Sequence, residues 1–287
     1  MRSIQGPATM PAMRTTRLLR RSRVLIVGCG DVGLRAARLL ARRAAQTHVI
    51  ALTSRPDRAP LLRAAGITPI VGDLDVARSL RRLAGLAPTV LHLAPPPPDG
   101  DTDPRTRALI AALTVPGKLR AARGGVASAG RLRHATGSAG RQSAMRPADG
   151  RQTGIVPDAA VAPRRIRLVY ASTTGVYGDC GGALIDETRP VRPVNARAKR
   201  RVHAERTLRR ATARGALAAC IVRIPGIYAA ERLPLARIER QMPALSDADD
   251  VYTNHIHADD LAAILLRALA RGACSRVFHA SDDSVLK

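Results

Sequence analysis

The sequence has no tryptophan, one phenylalanine and four tyrosines in 287 residues. A core of stacked aromatic rings is excluded. The interior must come from alanine, valine, leucine and isoleucine, which suits parallel strands buried on both faces beneath helices. Cysteine is scarce as well. Cys29, Cys180, Cys220 and Cys274 stand far apart, with no Cys-x-x-Cys and no histidine pair at zinc spacing, so no metal site is expected. Isolated thiols fit a reducing compartment, and a cytoplasmic location is expected. No apolar run approaches the ~18 residues of a membrane-spanning helix, so no membrane is expected as a partner. The first 22 residues contain no apolar stretch of the secretory kind. They are expected to be a disordered basic arm. Their arginine-rich, acid-free character superficially matches a transit peptide, and a start at Met10 or Met13 accounts for it as simply.

Lysine is almost missing. Of 47 basic residues, all but Lys118, Lys199 and Lys287 are arginine. The net charge of +25 raises the question of nucleic acid, but its distribution argues otherwise. Residues 1–23 carry +6 and residues 116–165 carry +8, and neither segment has a folding pattern. No basic strand is interleaved with aromatics. Weak, salt-sensitive polyanion affinity is the most this composition implies, and no specific nucleic-acid partner is expected.

Against these absences, one stretch is rich in information. Val24 to Val27 are four branched apolar residues that run into Gly28, Gly30 and Gly33, and Leu34, Ala37, Leu40 and Ala41 follow at helical spacing. This reads as buried strand, glycine turn and amphipathic helix. In such a Gly-x-Gly-x-x-Gly turn the first glycine permits the tight turn. The second lets a pyrophosphate approach the backbone, and the third lets helix and strand pack closely. The helix start presents free N–H groups and a partial positive charge to the phosphates. A purely structural glycine turn is the alternative.

Further aliphatic runs follow at 48–53, 68–74, 89–94, 166–171, 217–224 and 276–280, each read as a strand. Helices are read over 61–66, 75–83, 103–113, 195–214 and 261–270. The second strand ends in Thr53-Ser54-Arg55, roughly 20 residues past the glycines, where an NAD site usually holds an acid for the ribose 2′-hydroxyl. Here a small hydroxyl precedes an arginine, the arrangement suited to a 2′-phosphate. NADP is favoured and NAD stays open; an arginine at a strand end also stands in solvent with no ligand. Asp73 ends the third strand, where it can accept from an adenine amino group or cap the next helix. Residues 115–165, built of Gly, Ala, Ser, Arg and Pro, are expected to be a disordered insertion.

These pieces together resemble the extended short-chain dehydrogenase/reductases, the NAD(P)-dependent epimerase/dehydratase family. The resemblance covers about residues 23–113 and 166–280. It rests on the glycine turn, Gly72-Asp73-Leu74, Ser172-Thr-Thr-Gly-Val-Tyr-Gly178, Arg223-Ile-Pro-Gly-Ile-Tyr228 and His255-Ile-His-Ala-Asp-Asp260, in that order. It implies an α/β fold, a doubly wound parallel sheet of the Rossmann type spanning 23–287. A small carboxyl-terminal substrate region would lie around 229–256. It implies cofactor contacts from Gly28, Gly30, Asp31, Val32, Gly33, Ser54, Arg55, Asp73, Leu74, Ala94, Lys199 and Pro225. The substrate would be a small molecule, with nucleotide sugars among the candidates, and a homodimer is one expected assembly.

Two departures stand out. The glycine spacing is Gly-x-Gly-x-x-Gly where extended members commonly have Gly-x-x-Gly-x-x-Gly. More seriously, the family's catalytic Tyr-x-x-x-Lys becomes Asn195-x-x-x-Lys199. In the family the lysine lowers the phenol's pKa so that it shuttles a proton, and an amide does not titrate in that range. Thr173 matches the hydroxyl that orients the substrate oxygen, and Lys199 matches the lysine that also holds the nicotinamide ribose. Substitute proton donors are Tyr177, His203 and His92, each with a bland reading as pocket wall, surface residue or satisfied strand residue. His255 and His257 fall on opposite faces of an extended segment. The leading expectation is an NAD(P)-dependent oxidoreductase or epimerase/dehydratase-like enzyme moving hydride at a hydroxyl or carbonyl carbon, with catalytic candidates Thr173, Lys199 and Tyr177. The alternative is a non-catalytic NADP-binding redox sensor or scaffold, because Asn195 replaces the tyrosine.

Overall fold

A computed structural model describes residues 22–43, 46–115, 165–233, 235, 239–241, 246 and 250–283. The expected basic arm, nearly all of the expected insertion (116–164) and parts of the expected substrate region lie outside these residues. In chain order the elements are strand β1 (Arg23–Val27), helix α1 (Asp31–Arg43), β2 (His48–Thr53), α2 (Ala59–Ala64), β3 (Thr68–Val71), β4 (Thr89–His92) and α3 (Pro104–Thr114). They continue with β5 (Ile166–Thr173), α4 (Ala196–Ala213), β6 (Leu217–Ile224), β7 (Gly226–Tyr228), β8 (His255–His257), α5 (Ala258–Arg271) and β9 (Val277–His279).

Seven strands form one parallel sheet in the order β3-β2-β1-β4-β5-β6-β9. Alternate side chains of each strand feed opposite faces. Val24 and Ile26 pack with Ala36, Ala37, Leu261 and Leu265 on the face covered by α1, α2 and α5. Leu25 and Val27 pack with Leu80, Leu83, Leu109 and Leu208 on the face covered by α3 and α4. The architecture is the doubly wound α/β sheet expected from the aliphatic runs. Strand order reverses between β1 and β4, and ligands of such sheets sit beyond the carboxyl ends at that point.

Three local readings need correction. Residues 75–83 are not an α-helix but a 3-10 stretch over Ala77–Leu83. Leu80 and Leu83, both fully buried, share one face when the repeat is three residues per turn. Strand β3 stops at Val71 rather than 74, so Gly72-Asp73-Leu74 leave the ladder. The last helix begins at Ala258, three residues before the expected start. The His257 Nδ1 accepts from the N–H of Asp259 at 3.3 Å there. A feature not anticipated is the separate parallel pair β7–β8. Pro225 ends β6, and β7 then passes so close to His255 that a Cβ on Gly226 would lie 2.6 Å from its Cδ2.

The carboxyl half is tied by a buried polar cluster. Arg223 of β6 donates from Nη2 to Glu205 Oε2 at 2.8 Å and from Nε to Oε1 at 3.2 Å. Ser172 of β5 donates to the same carboxylate at 2.6 Å. Arg223 Nη1 donates to the Tyr177 hydroxyl at 2.6 Å. One carboxylate thus joins α4, β5 and β6, with both ionic partners buried. Glu205→Gln leaves the Arg223 charge buried with half its partner, and should lower stability by about 3–5 kcal/mol in urea unfolding.

Candidate functional site

The turn after β1 shows what each glycine does. Gly28 has φ +84, and a Cβ there would lie 2.5 Å from the Ala94 nitrogen. Only glycine fits both the conformation and the contact. A Cβ on Gly30 would meet nothing within 4 Å, so this position faces open space above the helix start. A Cβ on Gly33 would touch Cys29 Sγ, the Gly28 carbonyl and Ile26 Cγ2 at 3.3–3.4 Å, where α1 packs on β1. The open cradle at Gly30 fits a pyrophosphate.

Around it lies a cleft of about 470 Å³. Of the expected cofactor residues it brings together Gly28, Gly30, Ser54, Arg55, Asp73, Leu74 and Ala94. Val32, Gly33, Lys199 and Pro225 are not in its lining. Asp31 also stands outside. Its Oδ1 accepts from Arg35 Nε at 2.8 Å, and Arg35 Nη1 donates to Asp259 at 2.7 Å. The side chain that would face the phosphates with a negative charge is therefore turned to the α1–α5 seam. Asp73 lines the cleft but does not cap the next helical stretch: its Oδ1 accepts from the N–H of Asp75 at 2.9 Å, while the position before that stretch is Val76, with no side-chain cap.

Two arginines of the lining were not anticipated, Arg58 and Arg105. Arg105 is locked. It donates to Asp75 at 2.8 and 2.5 Å and to the carbonyls of Pro95 and Pro96. This bridges the loops after β3 and β4, and the guanidinium holds the Asp75 carboxyl below its usual range. Arg55 is exposed and donates to Asp57 at 3.0 Å. Arg58 makes no ion pair among the described residues. Cys29 is buried beside it, and burial pushes the thiol up to about 11 despite the charge of Arg58. It stays a protonated, inert group. The only sequence signal for Arg58 is its spacing, three residues beyond Arg55.

At the carboxyl edge of β5, Thr173 accepts from the N–H of Gly175 at 3.3 Å. That bond uses an acceptor and leaves the hydroxyl proton available to a ligand. Asn195 caps α4: its Oδ1 accepts from the N–H of Ala198 at 2.8 Å. Lys199 is half-exposed and donates to Asp101 at 3.2 Å. Tyr177 is 2 % exposed. Its hydroxyl sits 2.6 Å from both Arg223 Nη1 and His279 Nε2, and burial raises its pKa. It braces β6 against β9. His92 is buried, with Nε2 2.9 Å from Thr106 Oγ1, and desolvation, helped by Arg201, drives its pKa down to about 3. His203 Nδ1 accepts from the N–H of Asp103 at 3.1 Å. Among the described residues no His, Cys, Asp and Glu group is placed to hold a metal.

Known proteins sharpen this picture. Residues 156–280 match the NAD dependent epimerase/dehydratase family, and residues 24–87 match the TrkA-N domain. A functionally unknown conserved protein from Silicibacter pomeroyi is similar in structure. It is 24 % identical, with 92 % of this chain and 74 % of that one covered and a TM-score of 0.62. The dTDP-glucose 4,6-dehydratase of Bacillus anthracis, in complex with NAD, is 14 % identical over 92 % and 76 % of the chains, with a TM-score of 0.64. The UDP-glucuronic acid 4-epimerase of Bacillus cereus, in complex with NAD, is 15 % identical over 92 % and 79 %, with a TM-score of 0.63. At such identities the likeness is one of fold. No protein of curated function matches the sequence. The resemblance read from the five motifs is thus met by a family model over the carboxyl half and by the fold across the chain.

The two turn glycines should behave differently. Gly28→Ala meets backbone at 2.5 Å with a positive φ, and should lose about 1–3 kcal/mol or more. Gly30→Ala meets empty space and should keep most of the stability. Thermal unfolding of the two variants side by side checks this.

Proposed function

We propose that this chain is an NADP-dependent oxidoreductase or epimerase/dehydratase-like enzyme, whose substrate enters beside Thr173. The observation that carries the reading is the open cradle at Gly30, in a cleft that also holds Ser54, Arg55 and Arg58. The turn would hold the pyrophosphate by backbone N–H groups. Arg55 and Arg58 would take the 2′-phosphate, and Asp73 would face the adenine. When bound, the nicotinamide would supply a hydride donor and acceptor. Nucleotide sugars, which the dehydratase and epimerase above act on by name, are the substrate class we take from the resemblance.

The chain's own residues set the limits of the chemistry. Thr173 can donate to a substrate oxygen, because its bond from the N–H of Gly175 uses only a lone pair. Lys199 donates to Asp101 and would have two further N–H donors for a ribose hydroxyl. No phenol stands in the family's place. Asn195 cannot exchange a proton, and its oxygen is engaged in capping the helix. A proton donor would have to come from the substrate, from solvent or from a side chain that moves. This one feature favours a second reading, an NADP-binding sensor or scaffold without turnover. Domain limits remain as proposed from the sequence, with one nucleotide-binding unit over 23–287.

Calorimetric titration separates the possibilities. NADPH should bind more tightly than NADH. Arg58→Ala should remove about tenfold of that preference, the worth of one charge-assisted bond. Arg55→Ala should remove less, since Asp57 already shares Arg55. Absence of NADPH binding by the folded chain overturns the cofactor reading. Binding without turnover across carbonyl compounds and nucleotide sugars selects the second reading.

A further inference from the structure

Helix α1 opens on an acid. Asp31 is its first residue, next to Gly30, and Arg35 stands one turn further on. The helix dipole favours a carboxylate at such a start. The same end of the same helix is the one that would receive a pyrophosphate. Leu34 is bonded to the Gly30 carbonyl at 2.9 Å. The N–H groups of Asp31, Val32 and Gly33 come before it and are the free donors of the first turn. Two anions therefore compete for one set of N–H groups. An unrestrained Asp31 carboxylate would settle beside them and repel a phosphate.

The carboxylate is restrained. Asp31 Oδ1 accepts from Arg35 Nε at 2.8 Å. The other two nitrogens of Arg35 are held by residues far away in the chain. Nη1 donates to Asp259 Oδ1 at 2.7 Å, in the first turn of α5. Nη2 donates to Glu231, in the 3-10 turn Ala230–Arg232. Exposed ion pairs contribute little to stability, and Glu231 and Asp259 are 59 % and 60 % exposed, whereas Arg35 is 14 % exposed. What the two outer carboxylates do fix is direction. With Nη1 and Nη2 anchored across the seam, Nε is aimed back along α1 at Asp31. The second oxygen of Asp31 is buried without a hydrogen bond, 3.6 Å from Arg232 Nη1. A carboxylate serving only the helix start would turn that oxygen to the first-turn N–H groups. Here it is held off them, and Asp31 stays out of the lining of the cleft that Gly30 enters.

We infer that Arg35 is a positioning residue for the dinucleotide: anchored by Glu231 and Asp259, it draws the Asp31 carboxylate away from the first-turn N–H groups of α1 and keeps them free for the phosphates. The inference rests on the cofactor reading above. It adds the residue that makes an acidic helix start receptive to an anion. Through Glu231 the same guanidinium reaches the start of the expected substrate region.

The test is calorimetric titration of full-chain variants with NADPH and, as a second probe, inorganic pyrophosphate. Arg35→Met keeps the apolar stem and removes the donors. It should weaken NADPH binding about tenfold, because one like charge is released beside the phosphates. Asp31→Asn alone should bind as tightly as the parent or up to about twofold more tightly. Arg35→Met combined with Asp31→Asn should return to within about twofold of the parent. Arg35→Met combined with Asp259→Asn has the same net charge as that double variant but leaves Asp31 free, and should stay weak. Recovery in both double variants is a general charge effect and overturns the inference. So does unchanged binding by Arg35→Met, a loss that Asp31→Asn fails to repair, or weaker binding by Asp31→Asn alone. If Arg35→Met does not fold, Arg35→Gln takes its place in the same comparisons, with an expected loss of about fivefold. If the parent binds pyrophosphate and not NADPH, the cofactor reading fails and pyrophosphate decides this inference by the same pattern. If the parent binds NADPH and the pattern is absent, this inference fails alone. Binding of neither probe overturns both.

Discussion

The site depends on one close approach. Gly28 turns with φ +84 directly against the backbone of Ala94, where a Cβ would sit 2.5 Å from the nitrogen. β1 and β4 are neighbours at the point where strand order reverses. Because their ends meet this tightly below, the loops above them diverge and a cleft opens. Gly30 then faces empty space rather than protein. Arg105 completes the frame by bridging Asp75 to the Pro95 and Pro96 carbonyls. The aliphatic sheet supplies rigidity, and this contact converts it into a binding edge.

The carboxyl half is ordered by different means. A buried carboxylate, Glu205, gathers Arg223 and Ser172 across three elements. Tyr177, matched in the sequence to a family motif, belongs to this brace rather than to open space. The acid–base pair that the resemblance implies falls on Asn195 and Lys199. Its tyrosine position caps a helix, and its lysine lies against an aspartate. The helix start carries Arg197, Lys199, Arg200 and Arg201, of which Arg200 and Arg201 are buried and hydrogen-bonded to neutral oxygens.

Most of the frame was legible in the sequence. Buried parallel strands are continuous aliphatic runs, and the glycine spacing fixes a strand-turn-helix order. Features governed by contacts distant in sequence were not. Nothing local in residues 77–83 marks a three-residue repeat until Leu80 and Leu83 must both reach the core. The β7–β8 pair joins segments about thirty residues apart. Arg58 and Arg105 line the cleft because loops converge there, and apart from the spacing of Arg58 from Arg55 their neighbours in sequence carry no sign of it. Asn195 was recognisable as a departure, but its capping role needs the geometry of Ala198. Asp31 looked like a phosphate neighbour until Arg35 drew it to the seam with α5.

The most direct test of the account is a crystal structure of the chain grown with NADPH. The pyrophosphate should lie against the backbone of Gly30, with the 2′-phosphate within hydrogen-bond reach of Arg55 or Arg58. A dinucleotide bound away from this turn would contradict the central claim. So would one whose ribose 2′-phosphate points away from both arginines.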